Sequence, residues 1–363
     1  RDRLMDGVYR LLGGPGSPYS HKLRAVLRYR HIPHRWIVPL GAFRGSGSLG
    51  EGTEIAEAGK RQVPVIQFPD GSYHSDSTPI IDELEKRHPG ERSVIPDDPG
   101  MAFLARVIEE ASDEWLPLPM FDYRWNEAVD RVFCPRRQMA GWLGAVSEAE
   151  LGEAAASFLS RQETLREFLG GTVENRPLLQ STYEELMGVM ESHLATQLFL
   201  FGSRPSIADF GLYGQLSQYA VDPTTSNLMK QKAVRLFQWV QLTDDASGIE
   251  GEWNAPDVPL STGARGLLKL AGEVALPMLQ AAVDAHLAGK DFQPMVADIR
   301  SHGFKTLARP YQAHTLLWLK QAYAALDEAT QGRIEPALVE SGCLPWLSFR
   351  EGEREKVPPY CMA

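Results

Sequence analysis

The sequence predicts a short α/β unit followed by a long helical region. Three observations carry that prediction. Residues 8–24, VYRLLGGPGSPYSHKLR, read as a strand, a glycine-proline turn and a helix opening at a serine. Through residue 88 the patterns run β-α-β, a loop, then β-β-α, an order that folds into strands covered by helices. From residue 101 onward almost every apolar stripe keeps helical spacing.

The first strand is built from Val8, Tyr9, Leu11 and Leu12, side chains that favour a pleated surface. Gly13, Gly14, Pro15 and Gly16 stop it. Ser17 is a good N-cap, and Pro18 suits the first helical position, where a missing N–H costs nothing. The Ser17 hydroxyl therefore stands at the positive end of a helix, where a thiolate or other small anion is stabilised. An ordinary helix cap explains the same pattern. Residues 34–40 read as a second strand. The glycine-rich stretch 41–52 matches a dinucleotide fingerprint at Gly45, Gly47 and Gly50, but no strong helix follows, so it reads as a loop. Residues 62–68 read as a third strand with Pro64 inside, an edge or special-purpose position. Pro69-Asp70-Gly71-Ser72 is a hairpin turn leading to a short strand at Tyr73 and His74. Ser77 is placed to cap the next helix, whose apolar face is Ile80, Ile81 and Leu84.

Residues 93–100 read as a linker. Residues 101–350 read as a helical domain, with an insertion near 126–180 and an extension after 250. Leu104, Val107, Ile108, Ala111 and Trp115 form the first of its apolar stripes. Residues 115–125, WLPLPMFDYRW, contain two prolines, so the helix bends or breaks there. Residues 248–263 read as a long connection, and Pro277, Pro294 and Pro310 as breaks between late helices.

Composition narrows the function classes. With 43% hydrophobic and 23% charged residues, the chain has the make-up of a soluble globular protein. A formal charge of −10 argues against a nucleic-acid partner, which needs a basic surface. No apolar run approaches the roughly 20 residues that span a bilayer, so no membrane is expected. Cys134, Cys343 and Cys361 are an odd, sparse set that fits reduced thiols in a cytoplasm. Neither Cys-x-x-Cys nor His-x-x-x-His occurs, so no metal and no dithiol site is expected.

On four motifs the chain resembles the glutathione S-transferases. Ser17-Pro18-Tyr19-Ser20 with Lys22-Leu23-Arg24 is similar to the first helix of serine- and cysteine-type members. Gln62-Val63-Pro64 resembles the family's strand with a cis-proline, and Asp76-Ser77 its acidic-serine pair. Pro205-Ser206-Ile207-Ala208-Asp209-Phe210 resembles the capping motif of a buried helix in its all-helical second domain. The resemblance implies a cytosolic, serine-type member: an α/β thioredoxin-like N-terminal domain over residues 7–92, then an all-α C-terminal domain with extra helices, unusually long.

It also implies a chemistry. Glutathione is the co-substrate, with no metal. Asp76 takes its γ-glutamyl ammonium and Ser77 the adjacent carboxylate. The main chain of Val63 pairs with the cysteinyl backbone, and Gln62 donates to the glycine carboxylate. The thiol falls near Ser17. Lowering a thiol pKa by about 2 units needs close to ~2.7 kcal/mol of preference for the anion, which a hydroxyl and a helix N-terminus can supply. Tyr9, where tyrosine-type members place their hydroxyl, is the competitor, and Ser17 is preferred on the motif. The thiolate attacks a small hydrophobic electrophile in a cleft between the domains, walled by Tyr19, Met120, Tyr123 and Trp125. A cytoplasmic homodimer is implied as well. The alternative is a non-catalytic relative that binds a hydrophobic ligand or a protein partner, motivated by residues 115–125 and the long extension. Ser17 and Ser20 stand where thiol-disulfide relatives carry Cys-x-x-Cys, so dithiol exchange is not expected. The glycine-rich loop replaces a region that often helps to hold glutathione.

Overall fold

The computed structural model describes residues 7–40, 55 and 62–362. The glycine-rich loop reading at 41–52 therefore lies outside the described residues. The N-terminal part contains β1 (Tyr9–Leu12), α1 (Pro18–Tyr29), β2 (His34–Ile37), β3 (Val65–Gln67), β4 (Tyr73–Ser75) and α2 (Ser77–Arg87). The strands order as β2-β1-β3-β4. Strand β1 is parallel to β2 and antiparallel to β3, and β3 is antiparallel to β4. This is the α/β thioredoxin-like arrangement. All four residues of β1 are buried, because both faces of the sheet are covered. Leu11 joins the large core that α1 and α2 share, while Leu12 meets Ile37 and Val65 on the other face. Pairing of β3 starts at Val65 rather than Gln62, since Pro64 has no N–H to donate.

The rest is helical: α3 (Pro99–Trp115), α4 (Pro117–Asn126), α5 (Ala128–Leu143), α6 (Glu148–Phe168), α7 (Arg176–His193), α8 (Ile207–Tyr219), α9 (Pro223–Lys232), α10 (Val234–Asp244), α11 (Thr262–Leu270), α12 (Leu276–Leu287), α13 (Pro310–Ala325), α14 (Glu328–Glu340) and α15 (Leu344–Leu347). Prolines open α3, α4, α9 and α13, the position that tolerates them. Helix α8 is buried along its whole length. Its cap is the expected one: the Ser206 N–H and hydroxyl donate to Asp209 Oδ2 at 2.8 and 2.7 Å. Gly214 lets α8 approach α1, since a Cβ there would lie 2.9 Å from the Pro18 carbonyl oxygen.

Two features depart from the sequence reading. The helical half is not all-α. It carries a hairpin, β5 (Pro294–Ile299) with β6 (His302–Leu307), turned by Arg300 and Ser301 at φ of 52° and 62°. In addition, residues Thr262–Leu287 form one continuous helix, joined by a π-helical turn at Ala271–Ala275, that is long and apolar enough to cross a membrane. Its apolar window is 72% buried within the protein, as a core helix is. The extension is not an appendage: Leu276, Ile299, Phe304 and Leu316 belong to the same apolar core as Leu11 and Leu23.

Candidate functional site

A cleft of about 670 Å³ opens where the N-terminal sheet, α3 and the start of α13 meet. That is a normal size for a small-molecule site. Gln62, Val63, Asp76 and Ser77 line it together, as does Tyr19 on the first turn of α1. The Val63–Pro64 bond is cis. Helix α2 begins at Ser77, so Asp76, not Ser77, holds the N-cap position. Asp76 has a φ of 79°, unusual for a residue with a side chain. Such a conformation costs on the order of 1–3 kcal/mol and tends to mark a working position. Burial raises the Asp76 carboxyl above its usual range, opposed by a hydrogen bond from the Tyr311 hydroxyl at 2.8 Å.

Beneath the cleft lies a buried ionic cluster. Lys22 is fully buried. Its ammonium donates to Glu109, to Asp113 Oδ2 at 2.6 Å and to Thr78 Oγ1 at 2.9 Å. Thr78 in turn donates to Glu109 at 2.6 Å. Burial pushes Asp113 up to about 7, against the pull of Lys22. Burial also raises Glu110 and Glu114, which line the cleft. The cluster ties α1, α2 and α3 together under the Asp76–Ser77 corner and so fixes where the α2 N-terminus points.

Ser17 caps α1, its hydroxyl accepting from the Ser20 N–H at 3.2 Å. It is 9% exposed and is not among the lining residues of the cleft. The turn before it is covered by α5. A Cβ on Gly14 would lie 2.5 Å from the Trp142 ring, and one on Gly16 2.0 Å from the Gln138 amide. Tyr9 is elsewhere. Its hydroxyl bonds His88 at 2.8 Å, just past the end of α2 opposite to Ser77. A helix of 11 residues separates those ends by about 16 Å.

Met120, Tyr123 and Trp125 do not wall the cleft. They are 3%, 4% and 1% exposed. Tyr123 packs edge-on against Tyr183, and Trp125 against Phe121 and Phe158. The break at Pro117 starts α4 as a separate helix, and its apolar side chains fill the helical core instead of facing a ligand. The residues that do form the outer wall were not anticipated: Arg309, Tyr311, Gln312 and His314, from the start of α13. They lie more than two hundred positions from Asp76 in sequence, and no local pattern announces them. The acidic wall had a signal. Glu109, Glu110, Asp113 and Glu114 recur one turn apart in a helix whose other residues are mostly apolar.

The chain matches two family models, the glutathione S-transferase N-terminal domain over residues 16–87 and the glutathione S-transferase C-terminal domain over residues 148–242. No curated protein sequence matches it. Among solved structures it is similar to a glutathione S-transferase of Ceriporiopsis subvermispora in complex with glutathione, 19% identical over 65% of this chain and 97% of that one, with a TM-score of 0.44. It is also similar to the beta-etherase LigF of Sphingobium sp. strain SYK-6, 20% identical over 64% of this chain and 93% of that one, TM-score 0.43. A third is a glutathione S-transferase of Methylobacillus flagellatus with glutathione bound, 18% identical over 66% and 96%, TM-score 0.39. With both domain models matched in order onto a thioredoxin-like sheet and the helical half behind it, the chain belongs to the glutathione S-transferase superfamily.

Proposed function

We propose that the protein is a glutathione transferase that presents the glutathione thiolate to a small electrophile. The observation that carries this reading is the convergence of Gln62, Val63, Asp76 and Ser77 on one cleft at the start of α2. Each supplies a different part of the tripeptide's needs. The Ser77 hydroxyl and the free N–H groups at the α2 N-terminus suit the γ-glutamyl carboxylate. Asp76, already accepting from Tyr311, turns the rest of its carboxylate to the ammonium. The main chain of Val63 offers strand pairing, and Gln62 an amide for the glycine end. Ser17 holds the thiolate from its helix N-terminus, and the side chains of α5 over Gly14 and Gly16 form the lid of that corner. Tyr19, on the same turn, borders the electrophile.

The reading includes a cytoplasmic homodimer, both features carried over from the family. The aromatic stretch no longer favours the alternative that binds a hydrophobic ligand, because Trp115, Tyr123 and Trp125 are buried. Calorimetric titration of glutathione into the wild type and into Ser77→Ala tests the site. The expected result is micromolar-to-millimolar binding that the variant weakens about tenfold or more. An unresponsive wild type would end the proposal. Ser17→Ala then loses most glutathione-dependent turnover of a model electrophile, while Tyr9→Phe keeps it; the reverse pattern would move the thiolate to Tyr9.

A further inference from the structure

The outer wall of the cleft comes from α13, which lies outside both matched domains, residues 16–87 and 148–242. One side chain of that helix bonds directly to the corner where α2 begins. The Tyr311 hydroxyl donates to Asp76 Oδ2 at 2.8 Å. In the glutathione reading, this carboxylate takes the γ-glutamyl ammonium. Asp76 needs a fixed donor on two counts. Its φ of 79° is a conformation that surrounding contacts must hold. Burial favours its neutral form, whereas a phenol donating to it favours the charged form that an ammonium requires. Lys22 of α1 acts in the same sense as the phenol, and Glu109 of α3 acts against it.

Tyr311 is itself held in place. Two turns along α13, Trp318 packs edge-on against its ring, with centroids 5.9 Å apart. The Trp318 indole N–H donates to the Pro358 carbonyl at 2.9 Å, and its ring meets Tyr360 edge-on at 5.1 Å. The Tyr360 hydroxyl then donates to Asp82 Oδ2, back on α2. Asp82 also pairs with Arg106, which pairs in turn with Glu109 of the ionic cluster beneath the cleft. Two phenols of the extension thus bind one helix at residues 76 and 82, and one indole joins them.

We propose that Tyr311 is a positioning residue of the glutathione site, aiming the Asp76 carboxylate at the γ-glutamyl ammonium from a place set by Trp318 and Tyr360. The proposal rests on the glutathione reading for its ligand. It makes the extension part of the binding site, and it ties the extension's effect to one group of the ligand, the free ammonium. Two measurements on the full chain test it. The first is calorimetry with glutathione and with N-glutaryl-cysteinylglycine, the same tripeptide without its amino group. Tyr311→Phe should weaken glutathione about fivefold and leave the affinity for the analogue unchanged. With a wild type that binds glutathione, equal losses for the two ligands, or no loss for glutathione, would overturn the proposal. The second measurement is hydrogen exchange without ligand. The Ile80 N–H, which donates to the Asp76 carbonyl in the first turn of α2, should exchange about threefold faster in Tyr311→Phe and in Tyr360→Phe. Unchanged exchange in either variant would overturn the proposal. Faster exchange in both, in a protein that ignores glutathione, would uphold the hold of Tyr311 on Asp76 and remove the glutathione reading alone.

Discussion

Lys22 shows how one side chain organises this site. It lies on the buried side of α1 and satisfies Glu109, Asp113 and Thr78 at once. Removing one partner of a buried ionic cluster leaves uncompensated charge, typically at a cost of about 3–5 kcal/mol. Lys22→Met should therefore lower unfolding free energy in urea by about that amount. The loss should be smaller at low pH, where Glu109 and Asp113 take up protons and stop needing a cation. A pH-independent loss would mean that Lys22 acts through packing alone. At this scale the sequence was legible where the chemistry is local. Ser17 and Pro18 declare a helix start, and Ser206 with Asp209 declares a cap, because each partner is within one turn. The Lys22 cluster was not legible, since its members come from three helices up to 91 residues apart.

Among elements, α8 is the axis on which the two halves meet. Gly211 and Gly214 allow it to sit against α3 and α1, with hypothetical Cβ atoms at 3.1 Å from the Glu109 Cα and 2.9 Å from the Pro18 carbonyl oxygen. Gly214→Ala gains helix propensity but drives a methyl group into the α1 backbone, which has no room to yield. A net destabilisation of about 1–3 kcal/mol is expected from thermal or urea denaturation, together with weaker glutathione binding as the α1–α2 corner shifts. A stabilised variant would show that the contact relaxes at no cost. The β5–β6 hairpin illustrates the limit of pattern reading. Its strand alternates cleanly, with Met295, Ala297 and Ile299 buried. Its turn, however, puts Arg300 and Ser301 at positive φ, where Asn-Gly is the usual sequence. Arg300 is held there by Glu185 at 2.8 and 3.2 Å and by Glu273 at 2.9 and 2.7 Å, so tertiary ion pairs replace the local turn signal.

Across the whole molecule, the excess of buried acids sets a pH dependence. Asp113 is pushed up to about 7 and Asp209 to about 6 by burial, and Glu110 and Glu114 are raised as well. An acid whose native pKa is raised binds its proton more tightly when folded. Its stabilising effect is whole below the unfolded value near 3.8 and is lost as pH rises through the native one. His34, His88, His193 and His314, each lowered by desolvation, act in the opposite sense, but only below their unfolded value of 6.5. Asp244, held far below its usual range despite burial by His21, Tyr213 and Arg24, matters only under strongly acidic conditions. Above pH 6.5 the acids alone remain, so stability should fall between there and about pH 8.5. Melting temperatures across that interval check it; a flat or rising profile would mean that the acids find cations that the fold does not show.

The sequence by itself determined what depends on neighbours in the chain. It set the β-α-β and β-β-α order, the helix starts at Ser17 and Ser206, the break at Pro117 and the motif residues around Pro64 and Asp76, because strand alternation, capping and proline sterics act over a few residues. Only the tertiary structure decided which way each surface faces. It turned Met120, Tyr123 and Trp125 into the core, took Tyr9 to the far end of α2, and brought Tyr311 and Gln312 of the extension to the cleft that holds Asp76. Burial is a property of the packed whole: the same apolar or acidic pattern suits a core, a cleft or a solvent face until another element arrives to cover it.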